Sequence, residues 1–569
     1  MTELQTIKTT KTMKTKSTTK KRKTETKTDA KTKTIERLRS ILGEGGLASK
    51  DPKTRQETWF LLVFAVISLI LFYSFIYNDI LETMRVGISL WDELVEGNLR
   101  YFYGQWWHMD PVAYTKDVQA VYDFPIYIVF ALWNIPLWLL ERFAGVDVFT
   151  SVPCLMWGKT ILLVATWLLV QAMWRLCRAL QLDEDTSRLV CILFLTSNFY
   201  LTSVIVMSAY DILAMYCTLE GIRCYYEGSM RGFVLWFMWA IPLKFFALLL
   251  YVSLLLLKEK RILRIVGYLV AAMALLMVCR LLIPCGAVAG DPSSVALSLT
   301  NILESTDLSG LSIWYVLMYD EELVLDSVYP SVIAFLLVFL VCYIIRLETQ
   351  EQLQRWGIYM CFLTYAVMFV TCFSHPYWLL IMVPFAAILI GQNRQYLYIN
   401  VLVDTFSTWG MILAQMFRFP WCYGSGVAAG MFWPLILGSQ ETYSAVTPLT
   451  IFEMVTESET GQSYIIAIGG SLFMAGTIAF AVINFPGRQY IPAAGSAETS
   501  CAVGKDAPSG SGPAGSGNER KEFPRRSALP LIERDYAALN WMMVLRVFSG
   551  FVIAMVPLVL YAMGVWMQL

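Results

Sequence analysis

Charge is scarce in this chain of 569 residues. Only 15% of them are Asp, Glu, Lys or Arg, while 57% are hydrophobic. Soluble domains carry roughly 25% charged residues, so the balance excludes a soluble globular protein. It implies an all-α polytopic membrane protein. Histidine is scarcer still, with His108 and His375 the only two, which excludes a multi-histidine metal site. Net charge is zero, so bulk charge names no partner, and no nucleic acid is expected. The twelve cysteines fall mostly in apolar runs, as at Cys177, Cys191, Cys217, Cys342 and Cys361. They show neither paired ligand spacing nor an extracellular disulfide pattern, and read as small packing residues.

Basic residues are missing from two long stretches. None occurs between Arg280 and Arg346, where residues 284–326 hold seven acids, and none between Arg418 and Arg488, which enclose four. The positive-inside rule makes both loops exoplasmic. It makes Lys258 to Arg261, Arg346 to Arg355, Gln392 to Tyr398 and the Ser/Gly/Pro-rich segment 486–540 cytoplasmic. Residues 1–34 carry 11 Lys/Arg, 13 Thr and three acids, a low-complexity leader that resists translocation. The first apolar run starts near Trp59, so no cleavable signal peptide is expected. Spans are expected at 59–77, 153–174, 189–207, 209–226, 232–243, 245–257, 262–283, 327–345, 356–373, 377–391, 398–417, 464–485 and 541–567. The apolar stretches 125–140 and 424–438 are short, contain Pro136 and Pro434, and read as interfacial or re-entrant. This arrangement satisfies every charge assignment. It divides the chain into a disordered basic cytoplasmic tail (1–55), a main membrane module (56–395), a C-terminal membrane module (396–485), a disordered cytoplasmic linker (486–540) and a final helix (541–569).

One apolar run carries a cation near its middle. Residues 232–257 form a hydrophobic run whose single charge is Lys244, and such a charge costs roughly 2.5–3.5 kcal/mol to insert. Pro242 interrupts the helix two residues earlier. The run therefore predicts a hairpin of two short helices, with Lys244 at its tip on one membrane face. There its ammonium would meet a lipid-linked phosphate or snorkel to the interface.

Residues 79–124 form a polar stretch of eight acids interleaved with aromatics. Rings against sugar faces and carboxylates against hydroxyls suit carbohydrate; a solvated acidic loop with interfacial aromatics is the plainer reading. Asp79 directly follows the first span. A carboxylate held at a helix end at the membrane boundary is well placed as a general base.

Taken in order, several short motifs resemble a known group. These are Asp79; Tyr122-Asp-Phe-Pro125-Ile-Tyr127; Ser208-Ala-Tyr210-Asp211; Pro242-Leu-Lys244; and Ser374-His375-Pro376-Tyr377-Trp378. Over residues 55–395 the chain resembles the GT-C superfamily of membrane glycosyltransferases, especially bacterial polyprenol-phosphate-sugar mannosyltransferase-like members. Asn134-Ile-Pro136 followed by Trp157-Gly158-Lys159 is also similar to the mannosyltransferases of glycolipid-anchor assembly. The resemblance implies a GT-C-like fold of about 12 to 14 membrane helices with a large first exoplasmic loop. It implies transfer, with inversion, of a sugar from a polyprenyl-phosphate carrier to an exoplasmic lipid, glycan or protein acceptor. Asp79 corresponds to the catalytic base, with Asp92 as second candidate base or acceptor contact. Asp79 lacks the adjacent second acid of many relatives, which leaves a divalent metal open. Tyr122, Tyr210, Asp211, Lys244, His375 and Tyr377 are the candidate substrate-binding residues. Asp211 would equally serve as a helix N-cap, and His375 as an interfacial residue before Pro376. Arg280 and Arg418 are further phosphate candidates, and Asp183-Glu-Asp185 reads as a solvated cytoplasmic loop. The expected location is the bacterial cell membrane, with the N-terminus cytoplasmic. A lipid-linked-sugar transporter or flippase is the rival, though no two-fold repeat of broken helices is visible. A non-catalytic membrane assembly factor is the third reading.

Overall fold

The computed structural model describes residues 52–109, 116–284, 329–372, 374–424, 427–428, 446–456, 461–487 and 531–567. The expectations for the basic leader, the 284–326 loop, most of 424–438 and the linker up to residue 530 lie outside the described residues. The chain divides into two units, 1–70 and 71–569; the second contains every candidate site residue.

The protein is an all-α, multi-pass membrane protein. Among the described residues six helices are long and apolar enough to cross a bilayer, or up to eight if each of two bent pairs is one span. In chain order the N-terminal helices are α1 (Pro52–Ser74), α2 (Asn78–Glu96), α3 (Phe124–Trp133), α4 (Ile135–Ala144), α5 (Val152–Ala179), α6 (Glu184–Leu195) and α7 (Asp211–Tyr226). They continue as α8 (Met230–Leu243), α9 (Ala247–Lys258), α10 (Ile262–Leu282), α11 (Pro330–Ile344) and α12 (Gln350–Thr371). The last five are α13 (Val383–Gln392), α14 (Leu397–Arg418), α15 (Pro448–Thr456), α16 (Gly461–Ile483) and α17 (Leu531–Met567). Two short antiparallel pairs complete the structure: β1 (Ile76–Tyr77) with β4 (Val427–Ala428), and β2 (Trp107–Met109) with β3 (Lys116–Val118).

Local chemistry explains the breaks. Helices α3 and α4 bend by 67° at Asn134, where Pro136 opens the second helix. Proline suits that position because its missing N–H has no intrahelical partner there. Each is roughly 15 Å long, half the thickness of a hydrocarbon core. The hairpin at 230–258 forms as the proline requires: α8 ends at Leu243, Lys244 is extended (φ −155°, ψ 111°), and α9 starts at Ala247. The second bent pair turns by 47° between α6 and the segment Asn198–Val206. That segment ends in a π-helical turn, Leu201–Val206. Ser208 follows with φ 52°, a left-handed conformation that costs a non-glycine residue free energy.

The acidic stretch after the first span is largely structured. Residues 78–96 fold into α2, whose buried stripe includes Ile80, Leu81, Met84, Ile88 and Leu90. Helix α10 turns Leu263, Val266 and Val270 outward, and α11 does the same with Leu336, Leu337 and Leu340. Those faces suit lipid.

The final helix begins at Leu531, ten residues before its apolar part, because Leu531 to Asn540 lacks glycine and proline. It is docked on the rest of the bundle. Arg546, 2% exposed, donates to Asp404 of α14, to Thr405 Oγ1 (3.1 Å) and to Leu193 O (3.4 Å) in the last turn of α6. Gly550 lets α17 approach closely, since a Cβ there would lie 2.4 Å from Leu201 Cδ1. Close approach through small residues is the usual means of helix association in lipid. Arg546→Leu strands a carboxylate and is expected to lose about 3–5 kcal/mol, read as a lower unfolding midpoint. Arg546→Leu with Asp404→Leu should recover most of that loss; no recovery would show that the pair is not what holds α17.

Candidate functional site

Asp79 lies in the first turn of α2 rather than at the end of the first membrane helix. The chain leaves α1 at Ser74, pairs β1 with β4, and starts the new helix at Asn78. A carboxylate there faces the positive end of the helix dipole. Thr83 Oγ1 bonds the Asp79 carbonyl at 2.7 Å. Asp79 Oδ2 accepts from two phenols, Tyr377 (2.9 Å) and Tyr122 (3.2 Å). Residues 298 and 43 positions away thus meet on one oxygen.

The Tyr-x-x-Pro-x-Tyr motif is a device for holding Tyr122. Tyr127 OH accepts from the amides of Val121 (2.8 Å) and Tyr122 (2.9 Å). Tyr103 OH donates to the Tyr122 carbonyl at 2.8 Å. Arg280 clamps both carboxylate oxygens of the adjacent Asp123, at 2.9 and 3.3 Å. Arg280 therefore orders the loop, a role its position at a helix end did not disclose. The Tyr122 ring meets Tyr210 edge-on at 5.4 Å.

Tyr210 and Asp211 come from the strained turn before α7. Tyr210, not Asp211, holds the N-cap position. Asp211 Oδ1 instead pairs with Lys244 Nζ at 2.8 Å, with both side chains mostly buried (2% and 10% exposed). Lys244 turns inward rather than snorkelling. Its ammonium lies 4.9 Å from the Trp378 ring centroid, 5.3 Å from Phe246 and 6.0 Å from Tyr377, where aromatic faces attract a cation. His375 stacks on Tyr377 (5.6 Å, 11°) and meets Trp378 edge-on (4.8 Å). A small cavity of about 10 Å³, room for one water, touches Lys244 together with Thr218, Phe246 and Tyr365.

Asp79, Tyr122, Tyr210, Asp211, Lys244, His375 and Tyr377 thus form one cluster. Asp79, Tyr122, Lys244, His375 and Tyr377 each keep some exposure. Asp92 is not among them. It lies thirteen residues farther along α2, roughly 20 Å away, and accepts from Trp138 Nε1 at 3.0 Å. Arg418 closes α14. Asp183 caps α6 by accepting from the Thr186 amide at 3.2 Å.

The electrostatics follow from burial. Desolvation, then the neighbouring Glu82, raises the Asp79 carboxyl above its ordinary range; Tyr377, Lys244 and Tyr122 oppose the shift. Burial and the nearby Asp79 carboxylate push the Tyr122 phenol well up, which keeps its proton in place as a donor. Burial and the Lys244 charge lower His375 to about 4, so its imidazole is neutral at pH 7 and donates without adding charge. Among the described residues, Asp211 Oδ2 and Ser208 Oγ are buried with no hydrogen-bond partner. Buried polar atoms are seldom left so, and both lie within two residues of Tyr210 in the chain. No three of His, Cys, Asp or Glu gather to hold a metal among the described residues.

Removing one phenol has a signed consequence. Tyr377→Phe deletes a donor that favours the charged form of Asp79, so the Asp79 pKa should rise further. Activity that needs the carboxylate would then lose its acid limb at higher pH than in the wild type. An unmoved limb in a pH–rate profile would show that Asp79 does not set it.

No family model matches the chain, and no curated protein or solved structure matches it.

Proposed function

We propose that the protein is an inverting glycosyltransferase of the GT-C type. It moves a sugar from a polyprenyl-phosphate carrier in the membrane to a hydroxyl-bearing lipid, glycan or protein acceptor on the exoplasmic side. One observation carries this reading: a carboxylate and an inward-turned ammonium flank the same tyrosine in a partly exposed cluster.

In this mechanism the acceptor hydroxyl attacks the anomeric carbon opposite the phosphate. Asp79 takes its proton as the new C–O bond forms. The old bond from the anomeric carbon to phosphate oxygen breaks, and the polyprenyl phosphate leaves with the electron pair. Lys244 offsets the charge gained by that phosphate, while neutral His375 donates a hydrogen bond to it or to the sugar. Tyr122 and Tyr377 orient the base. Asp211 holds Lys244 before the carrier arrives, and Tyr210 supplies an apolar wall. The test is to offer the purified protein, in proteoliposomes, a panel of radiolabelled polyprenyl-phosphate sugars. Labelled product from one of them is expected. Carrier moved across the bilayer without cleavage would establish the transporter reading instead.

A further inference from the structure

One buried ammonium lies outside the cluster. Lys159 of α5 has no exposed surface, and among the described residues no carboxylate pairs with it. Its Nζ donates to three main-chain oxygens: Phe72 O, Phe75 O and, at 3.1 Å, Ile205 O. It also lies 4.3 Å from the Phe72 ring centroid. An ammonium has three N–H donors, so three carbonyls satisfy it. These are carbonyls with capacity to spare. Phe72 and Phe75 mark the end of α1, whose last carbonyls lack intrahelical donors and carry the negative end of the helix dipole. Ile205 belongs to the π-helical turn, a rare geometry found mostly at functional sites.

The two segments joined by Lys159 lead directly into the site. Asp79 follows Phe75 by four residues, and Asp211 follows Ile205 by six. The same turn of α5 also abuts α2, since a Cβ on Gly158 would lie 2.0 Å from Met84 Cε. A charge at this depth is expensive and is rarely kept without a task. We propose that Lys159 is a positioning residue, a three-way pin that fixes the spacing between Asp79 and the Asp211–Lys244 pair. The pin acts through the backbone and touches none of the three side chains. Its catalytic consequence rests on the transferase reading; its mechanical consequence does not.

The experiment uses the full chain in lipid nanodiscs. Lys159→Met keeps the apolar stem and removes all three donors. Amide hydrogen exchange is expected to quicken about tenfold, the equivalent of ~1.4 kcal/mol, in both 73–80 and 203–211. Exchange in α14 and α16 should not change. In the transfer assay kcat should fall ~100-fold with the donor KM nearly constant, because small misplacements of reacting groups cost about that much. Lys159→Gln, which retains two N–H donors, should lie between the two in both readouts. Quickened exchange in only one segment, or in neither, overturns the pin. Quickened exchange in both with an unchanged kcat overturns its positioning role. Failure of both variants to fold overturns the proposal too, since a local pin should leave the other helices assembled. If the wild type transfers sugar from no carrier, the transferase reading fails while the exchange result still decides the pin.

Discussion

Asp79→Asn is expected to reduce sugar transfer by ~10²–10⁴-fold, the usual contribution of a positioned general base. The substitution keeps the size of the side chain and its ability to accept from Tyr122 and Tyr377, which bond Oδ2 at 3.2 and 2.9 Å. It removes the negative charge and the proton-accepting capacity. Expression and thermal stability should therefore hold, and donor binding should change little. Burial and Glu82 raise the Asp79 carboxyl, so the wild-type activity should fall on acidification through a pKa above the ordinary carboxylate range near 4. The sign is fixed: protonation abolishes the base, so the loss lies on the acid side. Asn at this position should carry no such limb. Retained turnover in Asp79→Asn would remove Asp79 as the base and take the proposed mechanism with it.

Lys244→Met should weaken binding of a polyprenyl-phosphate sugar by ~10–100-fold, or about 1.4–2.8 kcal/mol. The ammonium is held by Asp211 at 2.8 Å and by the faces of Trp378 and Phe246. The residue is thus oriented before any ligand arrives, and little ordering entropy opposes binding. Removing it also leaves the buried Asp211 carboxylate without its cation, which destabilises the fold. The double variant Lys244→Met with Asp211→Asn separates these effects. It should regain stability while its donor affinity remains low. Donor affinity equal to wild type in that variant would end the phosphate role of Lys244.

The sequence and the structure divide the problem unevenly. The hairpin at 230–258 is legible because proline and a lone lysine leave few other solutions in a hydrophobic run. The acid start of α2 is half-legible: Asp79 stands out by position, yet its helix is hidden in a stretch that reads as a loop. Amphipathic periodicity within residues 78–96 was the signal available. The roles of Tyr127 and Arg280 escape sequence reasoning because their partners, two backbone amides and Asp123, carry no side-chain signature at a fixed spacing. The contacts of Lys159 escape for the same reason: carbonyls are the same at every position. Asp92 attracts attention by composition, and α2 carries it away from the cluster.

Hydropathy and charge bias alone suffice for a multi-pass helical protein, since lipid tolerates backbone only when it is hydrogen-bonded within its own segment. They also mark which polar residues are too costly to be idle. Which of those residues meet is a matter of packing. Tyr377 reaches Asp79 across 298 positions because helix crossings, a π-helical turn and a buried ammonium bring separate helix ends together. No local rule along the chain encodes that distance.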